Sequence, residues 1–120
     1  MRNKRKTSDS LIKLISYLKK KAYENEAPIW KDIAKRLQKP SKNWAEVNLR
    51  RLAEHTKKGE TVVIPGKCLG SGELIAPITV AAYSFSESAK KKIKDSGGTS
   101  ITIPQLIKMN PKGKDVRIIG

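Results

Sequence analysis

Six prolines, Pro28, Pro40, Pro65, Pro77, Pro104 and Pro111, set the limits of what this chain can build. Proline lacks a backbone N–H and fixes φ. It therefore opens helices, ends them or stands in turns and at strand ends, and it is kept out of their interiors. Before Pro28, Leu11, Ile15, Leu18 and Ala22 recur at helical spacing, with Ile12 and Leu14 widening the apolar stripe. Thr7, Ser8 or Asp9 can cap that first helix, which breaks at Asn25 to Ala27. Pro28 then opens a short second helix with Trp30, Ile33, Ala34 and Leu37 on one face, and Pro40 ends it.

Lys39 to Asn43 reads as a polar turn. Val47, Leu49 and Leu52 predict a short extended piece passing into a third helix that runs out near Lys57-Lys58-Gly59. The period then changes. Thr61 to Ile64 is β-branched and reads as a strand, Pro65-Gly66 as a turn, and Leu74 to Phe85 as a long apolar strand region interrupted at Pro77. Ser86 caps a fourth helix with Ala89 and Ile93 inward and Lys90, Lys91, Lys92 and Lys94 mostly outward, and Gly97-Gly98 stops it. Ser100 to Ile103 predicts a strand. Pro104 opens a last helix through Leu106, Ile107 and Met109, and Val116, Ile118 and Ile119 form a closing strand. The expected class is mixed α/β, a helical N-terminal part followed by alternating strand and helix, without internal repeats.

At 120 residues the chain fits a single domain over 1–120. Residues 1–8 are set apart. Arg2, Lys4, Arg5 and Lys6 follow the initiator with no apolar neighbour, so this segment is expected to be a flexible basic arm. The chain as a whole is basic: 26 Lys and Arg against 11 Asp and Glu leave a formal charge of +15. Self-repulsion of that size is relieved by a polyanion, and nucleic acid is the commonest one. A membrane surface fits poorly, because only 5% of residues are aromatic and no apolar run approaches the length of a spanning helix. The N-terminus carries no signal-peptide core, so residence in the cytoplasm is expected.

Enzyme, metal and cofactor readings find little to rest on. With one cysteine, Cys68, and one histidine, His55, the chain can form neither an internal disulfide nor a Cys/His zinc site by itself. His55 sits in a predicted helix with no nucleophile motif nearby, and Cys68 reads as a small buried hydrophobe. Gly70-Ser71-Gly72 begins like a dinucleotide fingerprint, but Ile75 stands where the third glycine belongs. A tight turn that lets a phosphate or a neighbouring backbone approach is the better reading. No cofactor, no metal and no catalytic residue are expected. Three basic clusters remain: the arm, Lys39 and Lys42 with Arg50-Arg51, and Lys112-Gly113-Lys114 with Arg117. Trp44, beside the second cluster, reads as a core cap, with stacking on an unpaired base as the alternative.

The segment Leu37 to Leu52, LQKPSKNWAEVNLRRL, has the look of a signature. It is followed by Val63-Ile64-Pro65-Gly66-Lys67-Cys68-Leu69-Gly70, then Ala81-Ala82-Tyr83-Ser84-Phe85-Ser86, Gly97-Gly98, Asn110-Pro111-Lys112-Gly113 and Val116-Arg117-Ile118-Ile119. In this order and spacing the motifs resemble the archaeal and eukaryotic large-subunit ribosomal protein eighteen family over nearly the whole chain. The resemblance implies an irregular strand and helix superhelix shared with the bacterial-type protein fifteen. It also implies a structural role in the large ribosomal subunit, with large-subunit ribosomal RNA and neighbouring ribosomal proteins as partners. By position it points to Lys39, Lys42, Asn43, Asn48, Arg50 and Arg51 in the signature, to Lys67, Gly70 and Gly72, and to Lys112, Gly113 and Lys114.

The expected mechanism is phosphate neutralisation, with shape rather than sequence being read. The competing reading is a DNA-binding regulator using the second and third helices as a helix-turn-helix unit, with Asn48, Arg50 and Arg51 as readers. The segment between those helices is long for such a turn and contains Pro40.

Overall fold

The computed structural model describes residues 8–120. The chain runs α1 (Asp9–Asn25), α2 (Pro28–Leu37), a 3-10 turn (Ser41–Asn43), β1 (Ala45–Asn48), α3 (Leu49–His55) and β2 (Thr61–Leu69). It continues through β3 (Thr79–Phe85), α4 (Glu87–Asp95), β4 (Thr99–Thr102), α5 (Ile103–Met109) and β5 (Val116–Ile118). The arm residues Arg2, Lys4, Arg5 and Lys6 lie outside the described residues. Ser8 caps α1, its side chain accepting from the Leu11 N–H at 3.2 Å. α1 closes on Glu26 in the left-handed region, φ 52°, and Pro28 opens α2 directly after it.

The five strands form one parallel sheet in the order β1-β2-β3-β4, with β5 also paired to β2. Both β1 and β5 lie along the same edge of β2, end to end. β5 takes Thr61 to Val63, and β1 takes Gly66 to Leu69. Parallel strands need crossovers, and these have a constant hand. The chain moves across the sheet from β1 to β4 with α3 and α4 on one face, then returns from β4 to β5 with α5 on the other.

That arrangement buries both faces, so the central strands read as unbroken apolar runs. Val62, Ile64, Val80 and Ala82 pack with Leu49 and Leu52 of α3 and Ala89 and Ile93 of α4. Val63 and Ala81, pointing the other way, pack with Leu18, Trp30, Ile33, Ala34, Leu37, Ile103, Leu106 and Ile107 from α1, α2 and α5. The apolar face expected for α2 is entirely buried. Ile12, expected to widen the α1 stripe, is instead 51% exposed.

Pro65-Gly66 is not a turn but the middle of β2. A proline is tolerated in this central strand because one edge is split between two partners and the other is irregular. β5 pairing stops at Val63, β1 pairing starts at Gly66, and the register with β3 shifts between Ile64 and Lys67. Gly66 is required for a different reason: any Cβ there would collide with the Ala45 carbonyl oxygen.

Three other boundaries move. The strand region expected from Leu74 begins only at Thr79, since residues 70–78 serve as the β2 to β3 crossover. Ile103 belongs to α5, because Thr102 and Gln105 form a capping box that starts the helix there. α3 ends at His55, where Thr56 Oγ1 donates to the Leu52 carbonyl at 2.7 Å and Arg117 Nη1 to the His55 carbonyl at 2.7 Å. α2 and α3 form no helix-turn-helix. β1 stands between them, paired to β2, and α3 is the crossover helix of a β-α-β unit.

Candidate nucleic-acid interface

The sequence clusters are redistributed by the sheet. Lys39, Lys42 and Asn43 lead into β1, whose register sets Ala45 beside Gly66 and Glu46 beside Lys67, the one exposed residue of Pro65 to Cys68. α3 begins at the carboxyl end of β1, placing Arg50 and Arg51 beside the loop that leaves β2. Lys112, Gly113 and Lys114 instead sit on the joint between α1 and α2. Lys112 Nζ donates to the Asn25 carbonyl at 3.1 Å, Gly113 lies against Ile29, and Trp30 Nε1 donates to the Pro111 carbonyl at 2.7 Å. Asn110 clamps this turn, its Nδ2 donating to the Lys114 carbonyl at 2.8 Å and its Oδ1 accepting from the Lys114 N–H at 3.2 Å.

Each of these residues has an environment that limits what it can offer. Asn48 is the N-cap of α3, its Oδ1 accepting from the Arg51 N–H at 2.9 Å. Gly72, at φ +95°, lies where a Cβ would come within 2.6 Å of the Arg50 backbone nitrogen. The Arg50 N–H donates to the Ser71 carbonyl at 3.1 Å, so the loop is laid directly over the start of α3. Gly70 packs as closely on Ser88 of α4.

The residue that secures this loop was not apparent in the sequence. Lys92 Nζ donates to the Gly70 carbonyl at 3.0 Å and the Gly72 carbonyl at 2.9 Å, and stands 3.0 Å from Glu73 Oε2. All three ammonium hydrogens are thereby used. Read along the chain, Lys92 belongs to a uniform lysine run. Its signal was its place three residues after Ala89 and one before Ile93, at the border of the buried stripe.

Ion pairing separates the remaining cations into two kinds. Lys21, Arg36, Lys90 and Lys91 pair with carboxylates three or four residues away on their own helices. Lys20 and Arg50 reach Glu24 and Glu54 only at 3.9 Å. Arg117, grouped in sequence with Lys112 and Lys114, is occupied by Glu60 and the end of α3. Lys39, Lys42, Arg51, Lys67 and Lys114 are exposed and make no ion pair among the described residues, a property they share with Lys13, Lys19, Lys31, Lys35, Lys57, Lys58, Lys94, Lys108 and Lys112. A cation with no internal partner keeps its full charge for an external anion.

Trp44 is half-buried, with its ring edge-on to Tyr83 at 4.8 Å between centroids and its Nε1 donating to the Lys39 carbonyl at 2.9 Å. It packs on the core and also lines an open groove with α1. Cys68 is fully buried in the sheet, and burial pushes its thiol up to about 12. Such a thiol stays protonated and cannot serve as a nucleophile. Among the described residues no His, Cys, Asp and Glu side chains gather as a metal would require, and no helix is long and apolar enough to cross a membrane.

Comparison with known proteins accounts for the whole chain. Residues 1–120 match the family model described as ribosomal protein 60S L18 and 50S L18e. The large ribosomal subunit protein eL18 of Methanoregula boonei is 52% identical over 114 residues, which cover 95% of this chain and 94% of that protein. The eL18 protein of Archaeoglobus fulgidus is 47% identical over 115 residues, covering 96% of this chain and 98% of that protein. That of Methanococcus maripaludis is 46% identical over 114 residues, 95% of each chain. By its match to the family model over residues 1–120 and its identity to these relatives, this chain belongs to the L18/L18e family of large-subunit ribosomal proteins.

Proposed function

We propose that this chain is a structural constituent of the large ribosomal subunit in the cytoplasm, where it holds ribosomal RNA against a rigid α/β body and abuts neighbouring ribosomal proteins. It acts as one domain and performs no catalysis. Lys39, Lys42, Asn43, Arg51 and Lys67 make up the main phosphate-binding surface, with Arg50 at its margin. Asn48, Gly70 and Gly72 shape that surface by letting α3 and the loop after β2 pack closely. Lys114 belongs to a second contact at the α1–α2 joint, shaped by Lys112 and Gly113. Arg2, Lys4, Arg5 and Lys6 extend the charge beyond α1. The observation that carries this reading is the set of exposed cations left without an internal carboxylate, in a chain of net charge +15.

The fold leaves sequence-specific readout little room. The crossover helices α3 and α5 have seven residues each and α4 has nine, and all three are packed on the sheet, so none of these three projects as a recognition helix. Shape and phosphate spacing are what such a surface reads. The test is sedimentation of the native protein in a lysate at moderate salt, with and without ribonuclease. Comigration with the large subunit that is lost on digestion is the expected result. A protein that stays at the top of the gradient, or that follows DNA, refutes it.

A further inference from the structure

We infer that the groove between α1 and the Lys39–Ser41 turn receives an unpaired nucleobase of the bound RNA, stacked against Trp44. This rests on the RNA-binding reading above and adds to it a defined site. The groove has a volume of about 780 Å³, within the range of pockets that accept small planar ligands. Its walls are Leu11, Ile12 and Ile15 on one side and Leu37, Pro40 and Trp44 on the other. An apolar slot with an aromatic wall suits the faces of a base. Ser16, Gln38 and Ser41 add hydroxyl and amide groups at its margin that can pair with a base edge.

Charge selects the occupant. The groove lining includes Lys19 and Lys39 and no carboxylate, and neither lysine makes an ion pair among the described residues. Lys42 is one turn further on. A basic protein segment would be repelled here, whereas a nucleotide brings a phosphate to the lysines as its base enters the slot. The aromatic wall is held in place before binding: Trp44 Nε1 is tied to the Lys39 carbonyl at 2.9 Å and its ring abuts Tyr83. No ordering cost falls on the tryptophan when a base arrives.

Tryptophan fluorescence of the full chain tests this, since Trp30 is fully buried and only Trp44 can meet a solute. The probes are a short single-stranded oligoadenylate and an RNA duplex carrying the same number of phosphates, titrated at one salt concentration. The single strand is expected to quench the emission and the duplex to bind without quenching. Ile12, 51% exposed on the groove wall, can be changed without disturbing the core. Ile12→Glu should abolish the quench and weaken single-strand binding about tenfold, with duplex binding nearly unchanged. Equal quenching by both probes, or single-strand binding that ignores Ile12→Glu, overturns the site. Tight single-strand binding with unaltered emission also overturns it, and leaves the groove to a segment of a neighbouring protein. Failure to bind either probe refutes the RNA-binding reading itself.

Discussion

Replacing Lys39, Lys42, Arg51 and Lys67 together by glutamine removes four exposed cations that make no internal ion pair among the described residues. None of the four side chains holds the fold: the Lys39 carbonyl that accepts from Trp44 is backbone, as is the Arg51 N–H bonded to Asn48. If each meets one phosphate, the slope of log affinity against log salt becomes shallower by about 3, since each neutralised phosphate contributes roughly 0.7 to 0.9. Over a fourfold rise in salt, the wild-type protein then loses roughly sixtyfold more affinity than the variant. The assay is filter binding or anisotropy with large-subunit ribosomal RNA at several salt concentrations. The control quadruple changes Lys21, Arg36, Lys90 and Lys91 to glutamine, an identical change of charge at ion-paired helix positions. Its slope should fall by less than about 1. Equal slopes for the two quadruples would mean that total charge governs binding and position does not, and the site assignment would then be wrong.

Three further outcomes follow from single residues. Glu60 accepts from the Lys57 N–H at 2.7 Å and from Arg117 at 3.0 Å, in that order of importance, and together these hold its carboxyl below the usual value of 4.5. A depressed folded value means stability that is present above the unfolded pKa and lost as pH falls through the folded one, so Glu60→Gln should flatten the acid limb of the stability curve below about pH 5. Parallel acid limbs would show that the network adds nothing. Cys68 should ignore a thiol-reactive disulfide in the native protein at mildly alkaline pH and react fully once unfolded; fast native labelling would contradict its burial. Thr102→Ala removes the Oγ1 that accepts from the Gln105 N–H, leaving the Thr102 N–H bonded to Gln105 Oε1, and should cost about 1 kcal/mol in urea unfolding, with Thr102→Ser retaining most of it.

Local rules made much of this fold legible in the sequence. The α2 stripe, the Ser8 and Ser86 caps and the Gly97-Gly98 stop depend on neighbours within a turn or two of chain. Pro65-Gly66 misled because the reason for it is remote: the two residues mark where β5 ends and β1 begins along β2, and those strands are about 50 residues away on one side and 20 on the other. The basic clusters were visible as composition, but their grouping was not. Lys67 comes near the strand that follows Lys39 and Lys42 only through the β1–β2 register, beside Glu46, and Lys92 leaves its lysine run only because a carbonyl-lined loop folds over it.

The split edge of β2 holds the two basic turns in fixed relation, which bears on the RNA-binding reading proposed above. β5 follows directly from the Lys112–Lys114 turn, and β1 follows directly from the Lys39–Asn43 turn. Both strands are hydrogen-bonded to the same strand, one at each half, and Ile119 N–H closes the joint on the Val63 carbonyl at 3.0 Å. Neither basic turn can shift along the sheet without breaking parallel pairing to β2. A flexible tether would let each contact find its phosphates separately, at the entropic cost of ordering both on binding. Fixing the two turns to opposite halves of one strand removes that cost in advance, so the spacing between contacts becomes a property the RNA must match. On the RNA-binding reading proposed above, this spacing is where selectivity for a folded RNA comes from.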